Sequence, residues 1–189
     1  MNHYYENIPG WFDFDDLYGR MVHNAPSNTE SIFVEVGSWM GMSTAFMGVE
    51  IISSGKPIKF YAIDNFSGSP MEEQEYEGTS SMSIWMGEHS LQSAIDTFLG
   101  NVRPISSVTT PLIEDSACSV ERFKDGSIDF LFIDSDHSYA HMHKEIARWL
   151  PKMKPGSFMG GHDINFPGVD RAVREAFGNN IEKLDRSWL

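Results

Sequence analysis

Cysteine is nearly missing from this chain. Cys118 stands alone among 189 residues, which excludes an internal disulfide and a thiolate zinc site and fits a reducing, cytoplasmic setting. Basic residues are scarce as well: 14 Lys and Arg face 27 Asp and Glu, a formal charge of −13. Such a surface repels phosphate backbones, and no Lys/Arg cluster offsets it locally, so nucleic acid is not the expected partner. No apolar run approaches the ~20 residues that cross a bilayer, so no membrane partner is expected either. The opening MNHYYENIPGWFDFDD is too polar and acidic to read as a signal peptide. Repeats and low-complexity linkers are lacking. A small molecule is the default ligand.

What the chain does have is alternation. Strand-like runs occur at IFVEV (32–36), KFYAID (59–64), DFLFID (129–134) and SFMGG (157–161), with a weaker fifth, VRPIS (102–106), broken by proline. Helix-like segments lie around and between them at 43–53, 89–99, 116–124, 138–150 and 169–177. In one of these, Tyr139, Met142, Ile146, Trp149 and Leu150 form a single apolar face. This order predicts one α/β domain over 1–189, built on a doubly wound, mostly parallel sheet. The near-continuous apolarity of FLFI fits a strand covered on both faces.

Three segments stand outside that alternation. An N-terminal helical cap is expected over 1–28, with a helix at 14–24 capped by Asp13 and Asp16 placed as in a capping box. Within it, Trp11 and Phe12 either cover a pocket or anchor that helix. The stretch 66–90 is rich in Ser, Gly, Glu and Met and carries Met82, Trp85 and Met86. It reads as a lid-like insertion, or as a merely mobile one. At the end, IEKLD (181–185) can form a closing strand, but only RSWL remains for another. The last strand is therefore expected to be very short or the chain truncated, and a second copy in a homo-oligomer could supply a missing edge.

The stretch VEVGSWMGMST (34–44) carries the most chemistry. Ligands of open α/β sheets sit beyond the carboxyl ends of the strands. Glycines there let the backbone turn tightly and approach a ligand. The spacing E-x-G-x-x-x-G differs from the dinucleotide fingerprint, and Trp39 sits where that fingerprint keeps a small residue. Glu35 would repel a pyrophosphate but suit a cation such as S-adenosylmethionine, with its sulfonium and ammonium. The second run ends in Asp64, where a carboxylate can accept both ribose hydroxyls. An ordinary strand-to-helix turn at Gly37 and Gly41, and a solvated strand end at Asp64, are the plainer alternatives.

VEVGSWMGMST, YAIDNFSG, DGSIDFLFIDSDHSY and WLPKMKPGSFMGGHD together resemble the class I S-adenosylmethionine-dependent methyltransferases. The match is nearest to the small bacterial and phage-type O-methyltransferases with IDxDHSY and HD strand ends. The resemblance implies the Rossmann-like fold of that class and a hydroxylated small-molecule acceptor, a sugar among the candidates. It implies that Glu35, Gly37, Ser38 and Gly41 surround the methionine portion of the donor. Ser43 would reach its carboxylate at a helix start, where an anion is favoured. Asp64 would hold the ribose, Asn65 or Phe66 would lie against adenine, and Asp115 and Ser116 would border the adenine edge. By the same resemblance Asp134 would be shared between cofactor and metal.

IDSDH and GGHD supply the second cluster. Oxygen and nitrogen ligands at two strand ends suit a divalent ion such as Mg²⁺ or Mn²⁺. The resemblance points to Asp134, His162 and Asp163, although relatives carry Asp or Asn where His162 stands, which shifts the balance toward a transition metal. His137 occupies the position of the base in the catechol-type enzymes, and Asp136 is its rival. His137 could equally be a local hydrogen-bond partner, and Asp136 a helix cap. His141 and His143, two apart, point to different faces of a helix, while His137 and His141 could chelate only if the helix began early. Two further classes remain open at this stage: a nicotinamide-dependent oxidoreductase and a cofactor-binding module without catalysis.

Overall fold

The computed structural model describes residues 1–68 and 88–189. Most of the lid-like insertion expected at 66–90, with Met82, Trp85 and Met86, lies outside the described residues. The strands are β1 (Ser31–Val36), β2 (Ile58–Ile63), β3 (Thr109–Leu112), β4 (Ile128–Ile133), β5 (Met153–Gly161), β6 (Lys183–Leu184) and β7 (Ser187–Trp188). They form one open sheet in the order β3-β2-β1-β4-β5-β7-β6. The first five are parallel, and β7 runs antiparallel to both β5 and β6. The longer helices are α1 (Asp15–Asn24), α2 (Met42–Ser54), α3 (Leu91–Val102), α5 (Tyr139–Trp149) and α6 (Pro167–Phe177), with α4 (Ser116–Ser119) a single turn.

Alternation along the strands sorts the core into two layers. Phe33, Phe60, Phe130 and Phe132 pack with Tyr18, Met21, Phe46 and Met47 from α1 and α2. Val34, Val36, Leu131 and Ile133 pack on the other face with Met142, Ile146, Trp149, Val169 and Val173 from α5 and α6. Helices on both faces explain why these strands read as unbroken apolar runs. The sheet changes winding direction between β1 and β4, and that switch point opens the crevice at the carboxyl ends.

Several local expectations change. The fifth strand is TTPL (109–112), not VRPIS; residues 103–105 form a 3-10 turn with Pro104 in its first positions. Pro111 is tolerated because β3 is an edge strand, where a missing N–H breaks no ladder. Helix 116–124 shrinks to α4 and a 3-10 turn at 120–122. Leu150 does not join the apolar face of α5, standing 46% exposed beyond the helix end. Asp13 does not cap α1: the N-cap is Phe14, which offers no side-chain acceptor. The last strand is very short, Ser187–Trp188, as expected, but the closing strand expected over 181–185 also shrinks, to Lys183–Leu184. Trp188, fully buried, holds them to the sheet, and burial of an indole is worth on the order of 4 kcal/mol.

Candidate active site

A cavity of about 880 Å³ opens at the carboxyl ends of β1, β2, β4 and β5, within the size range of small-ligand sites. Of the residues singled out above, Gly37, Ser38, Ser43, Asp64, Asn65, Asp115, Ser116, Asp134, Asp136, His137, His162 and Asp163 line it. Glu35 and Gly41 do not.

Glu35 lies beneath the wall. Side chains alternate, so it shares a face with Phe33 and turns toward α1 and α2, 1% exposed. Tyr18 Oη donates to its Oε1 at 2.8 Å, and the Thr44 hydroxyl donates to Oε2. Burial raises the carboxyl above the usual range, and these donors oppose that rise. Glu35 thus ties β1 to the first turn of α2, holding the intervening loop from below.

The two glycines of that loop are demanded chiefly by the protein itself. Gly37 has φ 92°, and a Cβ there would fall 1.7 Å from the Asp134 carbonyl oxygen. Gly41, at φ 86°, starts α2, and its Cβ would press on Phe98 and Val102 of α3 at 3.0–3.2 Å. Gly41, the N-cap of α2, has no side chain to take its first-turn N–H groups, beside which Ser43 faces the cavity. Asp64 grips the same loop from the side. Its Oδ2 accepts from Ser38 N at 2.9 Å and Trp39 N at 2.7 Å, and its Oδ1 accepts from Phe66 N at 2.7 Å. Burial lifts the Asp64 carboxyl, against the pull of these three donors.

The adenine-edge candidates are only partly as expected. Asn65 Nδ2 donates to Asp115 Oδ2 at 3.4 Å, and Asp115 caps α4 through Ala117 N at 2.8 Å. The Ser116 hydroxyl is turned away to Glu145, a buried carboxylate that also accepts from Trp149 Nε1 at 3.1 Å. Phe66 is buried against Phe98. Trp11 and Phe12 divide the two roles considered for them. Phe12 packs among Tyr5, Phe14 and Phe46, whereas Trp11 lines the cavity at 53% exposure.

The opposite end is charged. Asp134, His162 and Asp163 bring one ligand atom each within 4.8 Å of one another. His162 Nδ1 lies 3.2 Å from Asp163 Oδ2 and 3.7 Å from Asp134 Oδ1, while its Nε2 meets Asp13 Oδ1 at 2.7 Å. His137 Nε2 approaches Asp163 Oδ2 at 3.0 Å, its ring stacks on Phe166, and Arg186 donates to Asp163 Oδ1. Burial raises the Asp134 carboxyl to about 7, with Asp163 adding to the rise and His162 and His137 opposing it. Burial alone would lower His162, but the carboxylates of Asp163, Asp134 and Asp13 outweigh it and raise the imidazole to about 9. Burial works against the charge on Asp163 too, yet His137 and His162 hold it well below the usual carboxylate range. Asp136 Oδ1 accepts from Ser138 N at 2.8 Å, and the cap of α5 is Ser138 itself. His141 faces Ser135 at 3.2 Å and His143 points elsewhere, toward Tyr139.

Of the four non-glycine residues with positive φ among the described residues, Trp39, Phe66 and Asp163 line this cavity. Such backbone strain gathers where surrounding structure holds a site in shape. Sequence reasoning missed the site roles of Asp13 and Arg186, whose partners are distant along the chain, and the buried Glu145, which joins its helix neighbour Trp149 to the distant Ser116. It also missed the inward turn of Glu35, which strand alternation with Phe33 could have revealed.

A family model described as a methyltransferase domain matches residues 34–164. No curated protein matches the sequence. Among solved structures, a Corynebacterium glutamicum protein superposes with TM-score 0.61 at 10% identity, over 97% of this chain and 82% of its own. The O-methyltransferase NovP gives 0.60 at 17% identity, over 92% and 77%. An O-methyltransferase from Bacillus cereus, solved in complex with SAH, gives 0.57 at 16%, over 94% and 76%.

Proposed function

The chain belongs to the methyltransferase-domain family, and on that premise we propose that it transfers a methyl group from S-adenosylmethionine to a hydroxyl of a small molecule. The observation that carries this reading is the convergence of Asp64, Asp134 and the loop 37–41 on one cavity. Acidic strand ends suit a cationic donor and disfavour the pyrophosphate of a nicotinamide cofactor. Three backbone N–H donors fix the Asp64 carboxylate, two on Oδ2 and one on Oδ1, and Oδ1 retains a lone pair for a ribose hydroxyl. The first turn of α2 beside Ser43 suits the methionine carboxylate. Similarity to O-methyltransferases, one of them holding SAH, supports oxygen as the acceptor atom.

S-adenosylmethionine supplies an electrophilic methyl on a sulfonium. The acceptor oxygen attacks that carbon in line as the bond to sulfur breaks, and alignment within the cavity supplies much of the rate. The hydroxyl proton passes to a general base. We assign this role to Asp136 in the cavity wall rather than to His137. His137 Nε2 is committed to Asp163 and its Nδ1 is buried, so it serves better as a support for Asp163.

Asp134, His162 and Asp163 fit a divalent ion by donor chemistry: two carboxylates and one imidazole nitrogen converge, with the other ring nitrogen paired to a carboxylate. When bound, such an ion would supply positive charge that makes a nearby hydroxyl more acidic. Trp11, at the cavity and two residues from Asp13, would cover a ring-shaped acceptor, a sugar included.

Mass spectrometry tests the proposal after incubation with a methyl-labelled donor and a panel of hydroxylated small molecules. A labelled ether product supports it. No donor binding at millimolar concentration would overturn it.

A further inference from the structure

His162 stands where a carboxylate or amide was expected by resemblance, and its surroundings show how an imidazole is made to work there. The ring is 5% exposed. Phe14 packs against it at 5.0 Å between centroids, and its backbone N–H is tied to Ile133 O at 3.0 Å. Nε2 lies 2.7 Å from Asp13 Oδ1. A carboxylate only accepts, so Nε2 carries a proton in this contact, and Nδ1 is the ring nitrogen left to give up its own proton and meet an ion. That atom, Nδ1, faces Asp134 Oδ1 and Asp163 Oδ2.

Resting on the assignment of Asp134, His162 and Asp163 to a divalent ion, we infer that Asp13 is the positioning residue of that centre. It fixes the His162 tautomer and aims Nδ1 at the ion, and the resulting nitrogen-bearing set favours Mn²⁺ over Mg²⁺. A ligating histidine whose other nitrogen donates to a carboxylate is held in orientation and made more basic, and loss of such a partner costs 10–100-fold in metal affinity. Mg²⁺ prefers oxygen ligands and parts reluctantly from water, whereas imidazole suits transition ions. A plain surface ion pair is the competing account for Asp13. Such a pair would be worth little and would leave metal binding unmoved. The burial of the histidine and the convergence of its far nitrogen on two carboxylates favour the positioning role. Asp13 also lies between Trp11 at the cavity and the start of α1, so its contact, beside the packing of Phe14 on the ring, ties the segment before the first helix to the site.

The test titrates Mn²⁺ and Mg²⁺ separately into metal-free wild type, Asp13→Asn, Asp13→Ala and His162→Asp, by calorimetry and by the Mn²⁺ electron paramagnetic resonance signal. S-adenosylhomocysteine binding and thermal midpoint in EDTA serve as folding controls. Wild type is expected to bind Mn²⁺ at least ~10-fold more tightly than Mg²⁺. Asp13→Ala should lose ~10–100-fold in Mn²⁺ affinity with S-adenosylhomocysteine affinity unchanged. Asp13→Asn, whose amide oxygen can still accept from Nε2, should recover most of the loss, and His162→Asp should narrow the Mn²⁺ preference. Unchanged Mn²⁺ affinity in Asp13→Ala overturns the positioning role, and equal wild-type affinities overturn the preference. A wild type that binds neither ion overturns the underlying metal assignment as well, a result distinct from the other two.

Discussion

In and beneath the cavity wall at the β1–β2 end, carboxylates are held by neutral donors, whereas at the β4–β5 end they are held by charges. Glu35 and Asp64 take hydroxyls and backbone N–H groups. Asp134 and Asp163 take His162, His137 and Arg186. Neutral donors fix a shape, and that end reads as a rigid cradle. A carboxylate pair, one buried and one half-buried, that has recruited imidazoles is instead a place where positive charge is wanted, and an ion can supply it. The two ends should therefore fail separately when altered.

The largest effect should come from Gly37→Ala, which joins the two ends. Its Cβ would strike the Asp134 carbonyl in a conformation L residues avoid. We expect a loss of about 3 kcal/mol or more in unfolding free energy, seen in urea titration, with both ligands lost. Next, Asp64→Ala removes the acceptor for three backbone donors. S-adenosylhomocysteine affinity should fall about 100-fold, or about 2.7 kcal/mol, while Mn²⁺ binding persists. Thr44→Val removes one donor to the buried Glu35 and should cost about 2 kcal/mol in stability, leaving metal affinity intact.

The smallest effect is expected outside both ends. Hydrogen bonds from Arg122, chiefly, hold Glu114 down to about 2. A carboxyl lowered in the folded state contributes stability that is present above its unfolded pKa and lost as pH falls through the folded one. The stability gap between wild type and Arg122→Ala should therefore be small at neutral pH and close as pH falls from about 4.5 toward 2. Acid titration of both proteins by circular dichroism checks this.

How much of this was legible in the sequence follows burial and distance. β1, β2, β4 and β5 announced themselves because cover on both faces makes an apolar run. β3 did not, since an edge strand can be polar and carry Pro111, and TTPL resembles a loop. The carboxyl-end cluster was readable because strand ends meet at the switch point whatever their sequence separation. What those residues do there was less readable. Asp13 looked like a cap because helix starts favour aspartate, and nothing local signals a partner 149 residues away. Arg186 sat unnoticed in RSWL until the β6–β7 turn brought it to Asp163.

Calorimetric titration of S-adenosylhomocysteine into Asp64→Ala and Asp134→Ala, alongside wild type, tests the division most directly. The account predicts binding to wild type, an affinity within ~10-fold of it (about 1.4 kcal/mol) in Asp134→Ala, and a fall of about 100-fold in Asp64→Ala. No binding to wild type, or loss in Asp134→Ala with retention in Asp64→Ala, would contradict it.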